Sequence, residues 1–121
     1  MNKALFYADF KHYQLYGISI TGARYAHLEY GPCPYQYENL IYFMLHEGAL
    51  IQADGHTLKT IKTADLNIFG DSEKEVLSLV ANLAKPDGGK KLLKLSHQED
   101  AYKNSESMAL ISYEFAKHLK I

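Results

Sequence analysis

The stretch YGISITGARYAHLEYGPCP, residues 16–34, constrains the fold more than any other. Glycine and proline punctuate it too closely for a helix to run through, and it separates two segments of helical periodicity. Upstream, Phe6, Phe10 and Tyr13 recur at steps of four and three, with Leu5 and Tyr16 flanking the same arc, which predicts an amphipathic helix. Gly17 falls where a left-handed C-terminal cap belongs. ISITG is rich in β-branched residues and ends in a Thr-Gly turn signal, and ARYAHLEY alternates as a strand. Tyr25, His27 and Glu29 are expected to share one face of that strand, with Ala26, Leu28 and Tyr30 on the other. GPCP is expected to end it, because proline removes a ladder donor.

Downstream, Tyr37, Leu40, Ile41, Met44 and Leu45 follow the i, i+3, i+4, i+7, i+8 pattern, so a second helix should run from about Tyr35 to Gly48 and bury its apolar stripe. ALIQADGHTLKTIK reads as two short strands about Asp54-Gly55, a strong hairpin dipeptide. Ser72 and Glu75 have capping-box spacing ahead of Val76, Leu77, Val80 and Leu83, marking a third helix that ends before KPDGG. A short helix through Lys90 to Leu95 follows. Ser96 and Glu99 repeat the capping spacing, placing another helix start near His97, and Met108, Ile111, Phe115 and Leu119 outline a terminal helix. The expected fold class is α+β, mostly α-helical: a compact helical domain with a small antiparallel β component, namely the strand after the first helix and the hairpin near Asp54-Gly55. No internal repeat or linker divides it.

Composition narrows the function classes. A chain of 121 residues, 47% of them hydrophobic, suits one domain with an ordinary core. No apolar run approaches the roughly 18 residues of a membrane span, and the start lacks the order of a signal peptide, so the expected location is the cytoplasm. Thirteen Lys and Arg against fourteen Asp and Glu leave a net charge of -1, which argues against this chain gripping nucleic acid alone. The single cysteine, Cys33, excludes an internal disulfide and a multi-cysteine zinc site, and it is read as a buried, inert thiol.

Six histidines form no H-E-x-x-H or H-x-H pattern. His12, His46 and His118 are read as solvated or capping residues, and His97 as a link between helices. No nucleophile elbow or phosphate loop is present, so the chain is not read as an enzyme and no metal or cofactor is assigned. Lys85, Lys90, Lys91 and Lys94 make the only basic cluster, read as a solvated face. The oddest feature is ten tyrosines with no tryptophan. Tyrosine joins apolar area to a polar tip and serves both cores and interfaces.

KALFYADF running into YGISITGARYAHLEYGPCP, followed about sixty residues later by LSHQEDAYK and then ISYEFAK, resembles the Panacea domain, the SocA-like antitoxin domain. The combination is specific: an Asp after Tyr-Ala, Ser-Ile-Thr-Gly, a Tyr three residues on, Tyr-Gly-Pro, and the Leu-Ser-His turn. The resemblance covers almost the whole chain, 1–121, as a single domain. It implies a prokaryotic or phage-associated antitoxin that neutralises a toxin protein by direct binding and has no enzymatic activity. One branch is similar to a proteolytic adaptor, which makes an AAA+ protease the second implied partner. Members usually carry a small aliphatic residue where this chain has Cys33. They also usually carry a further helix, or a DNA-binding region, before KALFYADF, so a form without that piece is expected. Its loss should leave aromatic surface on the first helix, with Tyr7 off the main stripe, and hence self-association or use of that surface for the partner.

The candidate partner-binding residues are Tyr25, His27, Glu29, Tyr35 and Tyr37. A rival reading is a winged-helix-like DNA-binding transcriptional regulator with the Asp54-Gly55 hairpin as wing and Lys59 and Lys62 on phosphates. A hydrolase using Cys33 or a histidine ranks behind both.

Overall fold

The computed structural model describes residues 2–55 and 57–121. Its elements gather into two units, one built from the residues up to Tyr35 together with Phe69–Ile121, the other from Gln36–Ile68. The helical, α+β character expected from the sequence is what the chain adopts.

The first unit is organised around helix α1, Asn2–Tyr16. Phe6, Tyr7, Ala8, Asp9 and Phe10 are consecutive and all buried, which is more than one helical turn and leaves no solvated face along that stretch. Tyr7, expected to be left uncovered, lies in the core with its ring edge-on to Phe6, while Leu15 and Tyr16 at the end of α1 remain exposed. Phe10 stacks on Tyr113 at 4.5 Å, and Tyr25 meets Phe6 and Phe10 edge-on at 5.7 and 5.8 Å. Such pairs add stability beyond their buried area. Gly17, with φ +75°, caps α1 through its N–H to Tyr13 O at 2.8 Å, as its position predicted.

ISITG is not a strand. It wraps back over α1, and the β structure begins at β1, Tyr25–Leu28, paired antiparallel with β2, Gly31–Pro34. The GPCP segment thus forms a strand where it was expected to end one. Register explains why the prolines are tolerated. Opposed residues in an antiparallel pair alternate between bonded and non-bonded. Tyr35 N–H donates to Arg24 O at 2.7 Å, so the bonded positions are Arg24–Tyr35, Ala26–Cys33 and Leu28–Gly31. Pro32 and Pro34 face His27 and Tyr25 at the intervening, non-bonded positions, where the missing N–H is no loss.

The other edge of β1 is taken by residues 108–111. Met108 N–H donates to His27 O, His27 N–H to Ala109 O, and Ile111 N–H to Tyr25 O, at 2.8, 2.9 and 2.7 Å. This pairing replaces the expected start of a terminal helix, whose helical part is only a 3-10 stretch, Tyr113–His118. Helix α3, Asp71–Ala84, packs on α1 through Val76 and Val80. Its N-cap is Gly70, whose N–H is accepted by Glu73 at 2.8 Å, two residues upstream of the box expected at Ser72 and Glu75. Ser72 instead bonds His12. Helices α4, Lys90–Ser96, and α5, Asp100–Lys103, complete the unit. Ser96 turns its hydroxyl onto Leu93 O, so the α5 cap falls at Glu99 and not near His97.

The second unit holds helix α2, Tyr37–His46, and a hairpin of β3, Leu50–Gln52, and β4, Leu58–Thr60. The hairpin expected near Asp54-Gly55 is present, closed by Ala53 N–H to Thr57 O at 2.7 Å with Gly55 at φ +59°. The apolar stripe of α2 is not fully buried as expected: Tyr37, Ile41, Met44 and Leu45 are half-buried and Leu40 is exposed, and off the stripe Tyr42 and Phe43 are 72% and 60% exposed.

Candidate functional site

The geometry of the hairpin surface starts from one buried carboxylate. Asp9 lies in the core between two aromatic turns of α1 and accepts from Thr21 N–H at 2.8 Å, Thr21 Oγ1 at 2.6 Å and Tyr25 OH at 2.5 Å. Three donors replace the water that the carboxylate gave up. Those bonds tie the coil after α1 and the first residue of β1 to the same point. Burial, with the Asp9 charge second, pushes the Tyr25 phenol far above its ordinary value, so it remains a donor. Tyr113 closes the far side, its hydroxyl on Ala23 O at 2.5 Å.

His12, expected on a solvated face, is buried. Its Nδ1 lies 2.6 Å from Ile18 O, which can only accept, so Nδ1 carries the proton and Nε2 faces Ser72 Oγ at 2.9 Å. It acts as a side-chain clasp for the end of α1. His46 and His118 are exposed, and His56 lies outside the described residues.

His27 projects from β1 onto Tyr102 of α5, rings stacked at 3.9 Å and 17°. Its Nδ1 meets Ser105 Oγ at 2.8 Å. Ser105 gives its own hydrogen to Tyr102 O at 3.1 Å, so His27 Nδ1 donates and the other nitrogen, Nε2, is left as the free corner of a half-buried, immobilised ring. Tyr102 is pinned in turn by its hydroxyl, which donates to Leu28 O at 2.7 Å, and His97 packs edge-on against its ring. His97 also contacts Leu93 O, linking α4 to α5.

The five partner-binding candidates separate accordingly. Tyr25 and His27 alternate on β1 as expected, but Tyr25 is 1% exposed and belongs to the core, so it offers no contact surface, and Glu29 falls beyond the strand. Glu29 lies in the exposed β1–β2 turn beside Tyr30. Tyr35 is exposed at the far end of the hairpin, with the Arg24 guanidinium 5.3 Å from its ring centroid. Tyr37 opens α2 in the second unit and is half-buried. There, Tyr37, Ile41, Tyr42, Leu45 and Leu58 line a cavity of about 400 Å³ with Glu38 at its rim.

Helical periodicity gave no sign of Asp9 as a hub, since an acid inside an aromatic stripe reads as a solvated position; the available signal was the Thr-Gly turn placed to return over it. Cys33 is buried, as read from the sequence, opposite Ala26, with Asn2 Nδ2 3.6 Å from its sulfur. Among the described residues no three His, Cys, Asp or Glu gather as a metal site, and no helix is long and apolar enough to cross a membrane. No curated protein and no solved structure matches the chain. A family model does match, over residues 1–103, spanning the Asp9 hub, the proline-bearing hairpin and the α4–α5 turn, and the chain therefore belongs to the antitoxin SocA-like, Panacea domain family.

Proposed function

We propose that this protein is the antitoxin of a toxin-antitoxin system and neutralises its toxin by direct protein-protein binding. The observation that carries the reading is the family membership, which gives an antitoxin-type role. On the hairpin of the first unit the proposed contacts are His27, Glu29 and Tyr35, with Tyr25 supporting them from the core. In the second unit they are Tyr37 and the exposed α2 side chains Leu40, Tyr42 and Phe43. Aromatic residues whose rings are already fixed lose little entropy on binding, which favours His27 and Tyr35 as anchors. The role of a proteolytic adaptor adds an AAA+ protease to the same complex.

The winged-helix reading has less support. Lys59 and Lys62 are exposed, but α2, the helix beside that hairpin in sequence, carries Glu38 and no Lys or Arg to meet phosphates. The test is co-purification with the product of the neighbouring open reading frame, together with growth rescue when that product is induced. A stable complex with rescue that persists in a strain lacking the protease establishes neutralisation by binding. Rescue only when the protease is present assigns the adaptor role. No complex and no rescue removes the antitoxin reading.

A further inference from the structure

A second site lies in the first unit, away from the hairpin surface. A cavity of about 380 Å³ opens between the start of α1 and the turn into α4, within the size range of small-ligand sites. Ala4, Ala84, Leu92 and Leu93 give it an apolar wall, Gly88 and Gly89 a rim without side chains, and Asn2, Lys3 and Lys90 its polar groups. No carboxylate lines it.

Lys3 is the unusual member. The residue is 7% exposed, its ammonium still reaches solvent, and among the described residues that ammonium has neither a hydrogen-bond partner nor a carboxylate beside it. A cation with reduced hydration and no counter-ion is a favourable seat for an anion. Burial pulls the Lys3 ammonium below the ordinary lysine value, an effect that a nearby anion would reverse. Its stem is held in place, since Gly31 leaves the space into which Lys3 Cε packs. Both candidate acids are engaged elsewhere: Asp9, nearest to Lys3 in sequence, with Thr21 and Tyr25, and Asp87, next to the glycine rim, with Gly89 N–H at 3.2 Å and Lys91 N–H at 2.9 Å.

We propose that this cavity binds a carboxylate or phosphate group carried on a small apolar body, with Lys3 and Lys90 as the cations that receive it. The group belongs either to a free small molecule or to an acidic side chain of a bound protein. The apolar wall takes the body, and the Lys3 ammonium, short of hydration, gains a counter-charge. Binding at this site is independent of the antitoxin reading, and its first assay needs no toxin.

The full chain, labelled with 15N, would be titrated with sodium hexanoate, inorganic phosphate and, as a neutral body, hexanol. Hexanoate should move the Gly88, Gly89 and Leu92 amides saturably and bind at least about tenfold tighter than hexanol. Lys3→Met, which keeps the stem and removes the charge, should abolish that difference. Lys90→Gln at an exposed position should reduce it and serves in place of Lys3→Met if the latter does not fold. Should no free anion bind, a loss of about tenfold in affinity of the co-purified protein complex on Lys3→Met would assign the anion to the partner's acidic side chain. Hexanoate no better than hexanol, with complex affinity unchanged in both variants, overturns the proposal.

Discussion

Tyr25→Phe separates a core role from an interface role with one oxygen atom. The ring is buried among Phe6, Phe10 and Tyr113, and phenylalanine keeps all of that packing. What is lost is the donor to Asp9, a 2.5 Å bond to a carboxylate inside the core. Hydrogen bonds to charged groups contribute about 1.5–3 kcal/mol, and Asp9 retains its two Thr21 donors, so a loss of about 2 kcal/mol is expected. For a chain of this size that is a fall of roughly 8 °C in Tm. Urea unfolding at neutral pH would measure it, with the slope unchanged if only stability is altered. Tyr113→Phe, which loses a bond to the neutral carbonyl of Ala23, should cost only about 1 kcal/mol. A double-mutant cycle with Asp9→Asn should return a coupling of about 1–2 kcal/mol. Because Tyr25 has no surface to offer, the folded Tyr25→Phe protein should bind its toxin as the wild type does. A stability change under about 0.5 kcal/mol, or a complex weakened by tenfold or more in folded protein, would refute the reasoning.

Gly31→Ala should cost about 2 kcal/mol in chemical unfolding, because φ is +112° and an added Cβ would stand 2.8 Å from Lys3 Cε and 3.2 Å from Ser96 Oγ. A neutral substitution there would show that the β1–β2 turn relaxes without cost. Glu99, buried beside Tyr7 and accepting from Lys120 N–H with both oxygens, has its carboxyl raised by burial. The folded state then holds that proton more tightly than the unfolded chain, so this group's contribution is fully present below the ordinary carboxylate range and is lost as pH rises through the raised value. Glu99→Gln should accordingly gain on wild type as pH rises above the ordinary carboxylate range, and a pH-independent difference in Tm would contradict it. Phe43→Ser removes an exposed ring, so stability should shift by no more than about 0.5 kcal/mol while toxin affinity falls by about tenfold or more. Unchanged affinity by titration calorimetry would take α2 out of the interface.

Periodicity located the helices because α1, α3 and α4 each have a face that must leave water. It failed where a second kind of partner competed. Met108, Ile111, Phe115 and Leu119 have helical spacing, yet the backbone of residues 108–111 satisfies its hydrogen bonds on β1, an edge invisible to any local pattern. The prolines of GPCP are a stop signal only if their register is unknown, and register is a property of the pair. The two capping boxes misplaced helix starts for a similar reason, since Ser72 and Ser96 spend their hydroxyls on His12 and Leu93. Of the candidate contacts, alternation put Tyr25 on the face of His27, but a local pattern does not say which end of that face is covered, and Asp9 with the rings of Phe6 and Phe10 holds Tyr25 in the core.

The distribution of burial argues for unequal stability along the chain. From Gln36 to Ile68 the one buried side chain among the described residues is Leu50, while α1 alone buries seven. A segment shorter than the ~40 residues that usually sustain a core, with two three-residue strands and a helix burying nothing, has little to offset its conformational entropy. Local opening there should lie far below the global unfolding free energy that protects α1. Amide hydrogen exchange in the free protein should therefore show Ile51 and Lys59 exchanging at least about a hundredfold faster, relative to their intrinsic rates, than Phe10. If α2 and its hairpin are where the toxin docks, complex formation should slow those amides and leave Phe10 unchanged, because ordering of the second unit is then coupled to binding. Protection at Ile51 equal to that at Phe10 without a partner would mean that the second unit is held by interactions already present in the free chain, and the coupling would have no source.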